Sequence, residues 1–530
     1  KFNQLKSLKA LEGCILDLLE EIDTPRSLAL AISFRYNNYK VVDHDLLSCE
    51  PLDYICPIGY KKDSQAVAFF KKSTYLESSS NLDEEAVTNF LRIEEELALF
   101  NSCEKTSFYK ATVYTAARIM RSLLGPVPDV EDLKVSYTSG ATFSLRASDA
   151  TIAAKLSNRL DVTPLAKPYL LKWLGSEPLL FRAYQDLGLT EVSGNKFSTV
   201  PKDFRKVRTI CKEPLGNMLL QRGFGLHIKS RLKRIGIYIE TGQSDHIALL
   251  RYFSDCFSTI DQSDASDRIS RTLVKDLLPL EWFHILDRIR SRKTTMPDGS
   301  VIELKKFMTQ GNGFTFELET AIFYCLVQAM IINNYGKKGI VSVYGDDTIV
   351  SVHHGKFIVE HLNVFGLKVN TEKSYVDGPF KESCGFDIFS KQVVRPIYLK
   401  EFEPNETLFY VQFCNYIKRV LDHLNSDGWY DLWYSRPWRR CLGFIHSDNR
   451  FFGPPSLGDN VIITQRKPDR YKHAYWKSSV LYVTAYKRKY GSKSLATPRP
   501  VGASELAYAL LGGSSSGTLK RGAGYRLESA

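Results

Sequence analysis

Two short strings hold the residues best suited to chemistry. In Ile340-Val-Ser-Val-Tyr-Gly-Asp-Asp-Thr-Ile-Val-Ser-Val352, two β-branched runs flank Gly345-Asp346. Those are the residue types of a tight hairpin turn. A hairpin there holds Asp346 and Asp347 at its tip, two carboxylates on a rigid support, and hard divalent cations prefer such oxygen ligands. A bare Gly-Asp-Asp is more often a solvated turn. The apolar strands on either side, with Tyr344, shift the balance toward a site.

The second string is Ser258-Thr-Ile-Asp-Gln-Ser-Asp-Ala-Ser-Asp-Arg-Ile-Ser270. Cys256–Ile260 reads as a short strand and a helix is expected from Ser270, which puts Asp261 where a strand ends, a usual place for ligands in helix-covered sheets. Asp264 and Asp267 follow, and three acids packed together without a cation repel one another. Helix capping explains Asp267 well and Asp261 less well. Between the strings, Met308-Thr-Gln-Gly-Asn-Gly-Phe-Thr-Phe-Glu-Leu-Glu-Thr320 offers two glycines and a helix start near Thr315, a junction able to meet phosphate or ribose; alone it is a weak signal.

The order of these parts matters more than any one of them. A strand-end Asp, a Gly-rich loop with its helix, then a Gly-Asp-Asp hairpin is the motif order of a right-hand polymerase palm. The three carboxylates Asp261, Asp346 and Asp347 would together hold two Mg²⁺ ions about 3.5–4 Å apart, with Mn²⁺ or Ca²⁺ able to substitute in binding. One metal would activate a primer 3′-hydroxyl and the other the triphosphate. Upstream lies a basic run, Lys202, Arg205, Lys206, Arg208 and Lys212, then Arg222, Lys229, Arg231, Lys233 and Arg234. Cations there suit a triphosphate and template phosphates, although a solvated basic face fits equally well. Lys373, in Asn370-Thr-Glu-Lys-Ser374, suits a proton donor to pyrophosphate, against the plainer reading of a surface lysine.

The supporting chain has 530 residues, 44% hydrophobic and 25% charged, with 71 Lys+Arg against 59 Asp+Glu and a net charge of +12. That surplus agrees with a nucleic-acid partner without requiring one. The ten cysteines include no CxxC pair and no zinc spacing, so they read as reduced thiols. The most apolar long segment, 314–333, carries Glu317 and Glu319 and reads as too short to span a bilayer. No signal peptide pattern opens the chain, no Gly-Lys-Ser/Thr phosphate loop is present, and no HExxH or GxSxG motif points to hydrolytic chemistry.

Residues 1–105 read as mostly helical, 106–250 as mixed and increasingly basic, and 251–395, with its βαβ-like alternation, as a palm carrying the metal site. Residues 396–530 read as a C-terminal region rich in Tyr, Trp, Arg and Lys, with Gly512–Gly517 leading into a mobile basic tail. The fold class is mixed α/β (α+β), with the palm a small antiparallel sheet backed by helices.

Several strings resemble the replicase subunit of leviviruses, the small positive-strand RNA bacteriophages. They are Asp261 with Ser263-Asp-Ala-Ser-Asp267, Gly311-Asn-Gly-Phe-Thr-Phe-Glu-Leu-Glu319, Tyr344-Gly-Asp-Asp347, Glu382-Ser-Cys-Gly385, Val200-Pro-Lys and Cys211-Lys-Glu-Pro214. The resemblance covers roughly residues 110–400. It implies an RNA-dependent RNA polymerase with fingers, palm and thumb that copies a single-stranded positive-sense genome through a minus strand. By the same resemblance Asp261, Asp346 and Asp347 bind the metals, and Asp267, Thr315 and Asn312 or Glu319 monitor the ribose 2′-hydroxyl. Arg205, Lys206, Arg208 and Lys212 face the triphosphate, and Lys373 is a general acid. The implied partners are template and nascent RNA, ribonucleoside triphosphates, host elongation factors Tu and Ts, and the large RNA-binding ribosomal protein of the small subunit. The implied setting is the bacterial host cytoplasm, with no membrane. Asp264 departs from the family pattern, and Glu319 stands where many viral polymerases have Asn. A reverse transcriptase and a non-enzymatic packaging protein are the rival readings.

Overall fold

The computed structural model describes residues 2–36, 45–71, 81–138, 140–202, 206–399, 406–425, 430–464, 474–477, 480–489 and 524–529. It is a mixture of helices and small, mostly antiparallel sheets. The Gly512–Gly517 stretch lies outside the described residues.

The apolar residues separate into two large cores. One runs from Tyr109 to Val369 in sequence and is threaded by the helix Thr315–Tyr335. That helix is apolar on every side, and a helix of that kind belongs inside a core. Among the described residues it is the one helix long and apolar enough to cross a membrane, and 78% of its most apolar stretch is buried in this protein. Its neighbours include the helices Ser107–Leu124 and Leu215–Lys233. It ends where Gly336 takes φ +74°, a left-handed C-cap that favours glycine.

The second core joins the two ends of the chain. The helices Phe2–Ile22, Pro25–Tyr36 and Pro57–Lys71 pack with residues from Tyr375 to Ile462, among them the helices Glu406–Leu424 and Arg436–Gly443. Asp17, 5% exposed, lies between Arg440 (3.1 Å) and Arg436 (3.4 Å) at that seam.

A three-stranded antiparallel sheet lies beside the first core, with Asp347–Ser351 in the middle, Phe257–Ile260 on one side and Val341–Tyr344 on the other. The two outer strands run parallel to each other with the hairpin's return strand between them, so the βαβ-like alternation in the sequence is a split βαβ unit. The helix expected from Ser270 forms as Arg271–Leu277, its first turn capped by the Ser270 hydroxyl. A second sheet, ordered Val207–Lys212, Asn195–Pro201, Lys293–Thr295, Val301–Glu303, carries part of the basic run.

Candidate active site

The hairpin forms as its residue types require. Val341–Tyr344 and Asp347–Ser351 pair antiparallel with Tyr344 opposite Asp347, leaving Gly345-Asp346 as a two-residue loop. Gly345 has φ +62° and Asp346 does not share the left-handed region, as in a II′ turn. A side chain at Gly345 is excluded twice over, by φ and because its Cβ would lie 2.5 Å from Phe316 Cε2. The Gly345 N–H donates to Thr320 Oγ1 at 3.0 Å, and Tyr344 packs edge-on to Phe316 with ring centroids 4.8 Å apart. The buried helix Thr315–Tyr335 thereby holds the tip of the hairpin.

Ile260 pairs with Thr348, and continuing that register by one step brings Asp261 opposite Asp347. Cβ atoms of such cross-strand neighbours lie about 4.5–5.5 Å apart. Asp261 is fixed further from the segment after Val369. Its Oδ2 accepts from Asn370 Nδ2 at 2.7 Å, its carbonyl accepts from the Asn370 N–H at 2.9 Å, and its N–H donates to Ser374 Oγ at 3.1 Å. Asp347 accepts from the Cys384 backbone N–H. Cys384 and Gly385, with φ +53° and +69°, form the two-residue turn between the strands Phe380–Ser383 and Phe386–Phe389.

Burial pushes all three carboxyls up, and Asp346 pushes Asp261 and Asp347 up further. Asp347 reaches about 7, raised by burial and then by Asp346 and Asp261. Asp261 reaches about 6, with burial and Asp346 raising it against Lys373 and Asn370. Burial also raises Asp346, opposed by Lys373, Arg208 and Lys202. Lys373 Nζ lies 3.3 Å from Glu382 Oε1. Burial would lower its pKa, but Glu382 and Asp261 outweigh that and raise it. Among the described residues no three His, Cys, Asp or Glu side chains converge as a ready-made metal cage. That geometry suits Mg²⁺, which usually takes one or two carboxylates and completes its shell with water and phosphate. The mutual repulsion of the three acids is the kind a cation relieves, so the donor set fits.

The remaining sequence candidates divide. Thr315 Oγ1 donates to the Thr309 carbonyl at 2.9 Å, and Asn312 Oδ1 accepts from the Phe314 N–H at 3.1 Å, so both fasten the Gly-rich loop. Glu319 is buried, with Oε1 lacking a partner, and burial with Asp346 and Asp267 holds its carboxyl well above the usual range. Asp267 pairs with Lys306 at 3.0 Å rather than capping a helix. Asp264 is exposed, with φ +52°. Lys202 and Arg208 act electrostatically on Asp346. Lys212 lies four residues beyond Arg208 on the same strand, about 13 Å along it. Lys206 is exposed just before that strand, and Arg205 lies outside the described residues.

Sequence reading missed Asn370, Glu382 and His246. His246, 1% exposed, bridges Ser342 Oγ (2.9 Å from Nε2) in the hairpin and Ser383 Oγ (2.8 Å from Nδ1) beside the Cys384 turn. Burial lowers its pKa to about 4, so it is a neutral clamp between the two hairpins. A lone histidine in a helical segment gives no signal of that role. The Asn370-to-Lys373 spacing was the available clue to Asn370.

The model of the RNA replicase beta-chain family matches residues 71–426. The chain belongs to that family. It is 36% identical over 282 residues to the RNA-directed RNA polymerase beta chain of Escherichia phage MS2, covering 52% of this chain and 50% of that one. It is 32% identical over 373 residues to the RNA-directed RNA polymerase subunit beta of Qbeta virus (strain MX1), covering 68% and 62%. The chain thus spans about half to three-fifths of the length of the curated relatives it matches. A looser likeness, with TM-score 0.42 and 12% identity over 78% of this chain and 92% of the other, is to the RNA-dependent RNA polymerase of a human picorbirnavirus.

Proposed function

We propose that the chain is an RNA-dependent RNA polymerase that copies a single-stranded positive-sense phage RNA through its minus strand. The observation that carries this reading is the placing of Asp261, Asp346 and Asp347 at one sheet edge, three buried carboxyls all raised above their ordinary range in a replicase beta-chain. In this reading residues 251–395 are a palm, 106–250 fingers, 1–105 outer fingers, and 396–530 a thumb and C-terminal region.

Asp261, Asp346 and Asp347 are the residues that would hold two Mg²⁺ ions, which when bound would lower the pKa of the attacking hydroxyl and offset charge on the triphosphate. The chain's own groups do the rest. Lys202, Arg208, Lys206, Lys212 and Arg205 draw the triphosphate toward the acids. As the 3′-oxygen, its proton passed to water, bonds to the α-phosphorus and the bond from that phosphorus to pyrophosphate breaks, Lys373, kept protonated by Glu382 and Asp261, donates its Nζ proton to the departing pyrophosphate oxygen. Asp267, together with Thr315 and Asn312 or Glu319, reads the ribose. Host elongation factors Tu and Ts and the large ribosomal RNA-binding protein act beside it in the bacterial cytoplasm.

The test is incorporation of labelled ribonucleotide on single-stranded RNA with host extract and Mg²⁺, comparing wild type with Asp346→Asn and Asp261→Asn. Synthesis lost in both folded variants supports the site. Synthesis that survives both overturns it.

A further inference from the structure

We infer that Lys306, backed by Glu94 of the helix Leu82–Ser102, is a positioning residue that fixes Asp267 for selection of the ribose. The inference rests on the polymerase reading above and extends it to residues outside the sequence motifs. The Lys306 side chain is fully buried. Its Nζ lies 3.0 Å from Asp267 Oδ1, 3.3 Å from Glu94 Oε1 and 3.6 Å from the centroid of the Phe90 ring. Glu94 is itself buried, and its second oxygen accepts from the Lys305 N–H, so the helix grips the lysine and its backbone together.

A buried ammonium between two carboxylates is an expensive way to hold a fold, because apolar residues of similar volume do as well or better. What it supplies is direction. Lys306 engages one oxygen of Asp267 and so fixes which oxygen is left for a ligand. The other oxygen, Oδ2, has only Thr209 Oγ1 at 3.4 Å, a weak hydrogen bond. That leaves Asp267 short of one good donor. Glu319, the next acid toward Asp346, has a buried oxygen with no hydrogen-bond partner among the described residues. A 2′-hydroxyl supplies one and a 2′-deoxy sugar does not. Sites built around such a bond reject the analogue that lacks it.

The experiment uses the full chain with host extract, single-stranded RNA and Mg²⁺. It measures kcat/KM for one ribonucleoside triphosphate against its 2′-deoxy counterpart. Lys306→Met is expected to lower that ratio about tenfold or more, through a raised KM for the ribonucleotide, with deoxynucleotide use little changed. Lys306→Arg should keep most of the selectivity. Should Lys306→Met not fold, Lys306→Met/Glu94→Gln removes the opposing charge as well and is read the same way. A ratio unchanged while both rates fall together overturns the inference, and so does failure of both variants to fold, which makes Lys306 a structural residue only. If wild type incorporates no ribonucleotide, the polymerase reading falls first and takes this inference with it.

Discussion

Asp287 and Asp347 are both withdrawn from water, and burial acting alone would push either carboxyl up. At Asp287 three guanidiniums reverse the effect. Arg271 donates at 3.1 and 2.9 Å, Arg290 at 2.8 Å and Arg292 at 2.6 Å, and the carboxyl falls to about 2. At Asp347 the neighbouring charges are Asp346 and Asp261, and the carboxyl rises to about 7. One cluster is complete as folded. The other is arranged to receive charge from outside, and perturbed groups of that second kind are where function is sought.

The comparison can be broken most directly at the acids themselves. Asp347→Asn should reduce nucleotide incorporation by about a thousandfold or more, while denaturant unfolding finds the protein no less stable. Asp287→Asn should do the reverse. It strands buried guanidinium charge and should cost about 3–5 kcal/mol of stability, with activity per folded molecule near wild type. If both variants lose stability alike, the distinction drawn here disappears.

The titration of the two clusters differs in sign. Asp261 and Asp347 sit at about 6 and 7 in the folded chain against an ordinary 3.8, so the folded state holds their protons longer than the unfolded state. Their contribution to stability is full below about pH 4 and is lost as pH rises through 6 to 7. Asp287 behaves oppositely, its contribution present above pH 3.8 and lost as pH falls toward 2. Mg²⁺ at a hundredfold excess over its Kd should raise stability by about 2.7 kcal/mol. That gain should be clear at pH 8 and should shrink at pH 5.5, where protons compete for the same oxygens. Melting curves with and without metal at the two pH values check it, and Asp346→Asn should flatten the difference. The smallest effect expected is that of His246→Leu. It removes one hydrogen bond each from the Ser342 and Ser383 hydroxyls, worth about 1 kcal/mol apiece, and should weaken Mg²⁺ dependence through the loosened hairpins.

The acids, the loop and the hairpin were legible because each is a local string whose residue types dictate its own backbone. Gly345 needs a left-handed φ and Thr315 begins a helix, and both are written within a few residues. The register that sets Asp261 against Asp347 was not legible, because motif order says that the strands meet and not which residues pair. Asn370, His246, Lys306 and Glu94 were not legible, because their partners lie far along the chain. Glu94 meets the Lys305 N–H 211 residues away, and His246 meets Ser383 137 residues away. Nothing in the composition around Glu94 separates it from Glu95, which no such contact selects. The helix Leu82–Ser102 accordingly read as a region without chemistry.

The core that joins Leu11–Phe70 to the stretch from Tyr375 to Ile462 sets a timetable. A ribosome making about 5–20 residues per second leaves those first helices without their packing partners for on the order of half a minute. Through that interval Leu18, Leu19, Phe69 and Phe70, all but inaccessible in the finished molecule, face solvent and whatever else the cell holds there. Closure of this core is therefore among the last steps of folding, and truncation before Tyr375 leaves the opening helices without the other half of it.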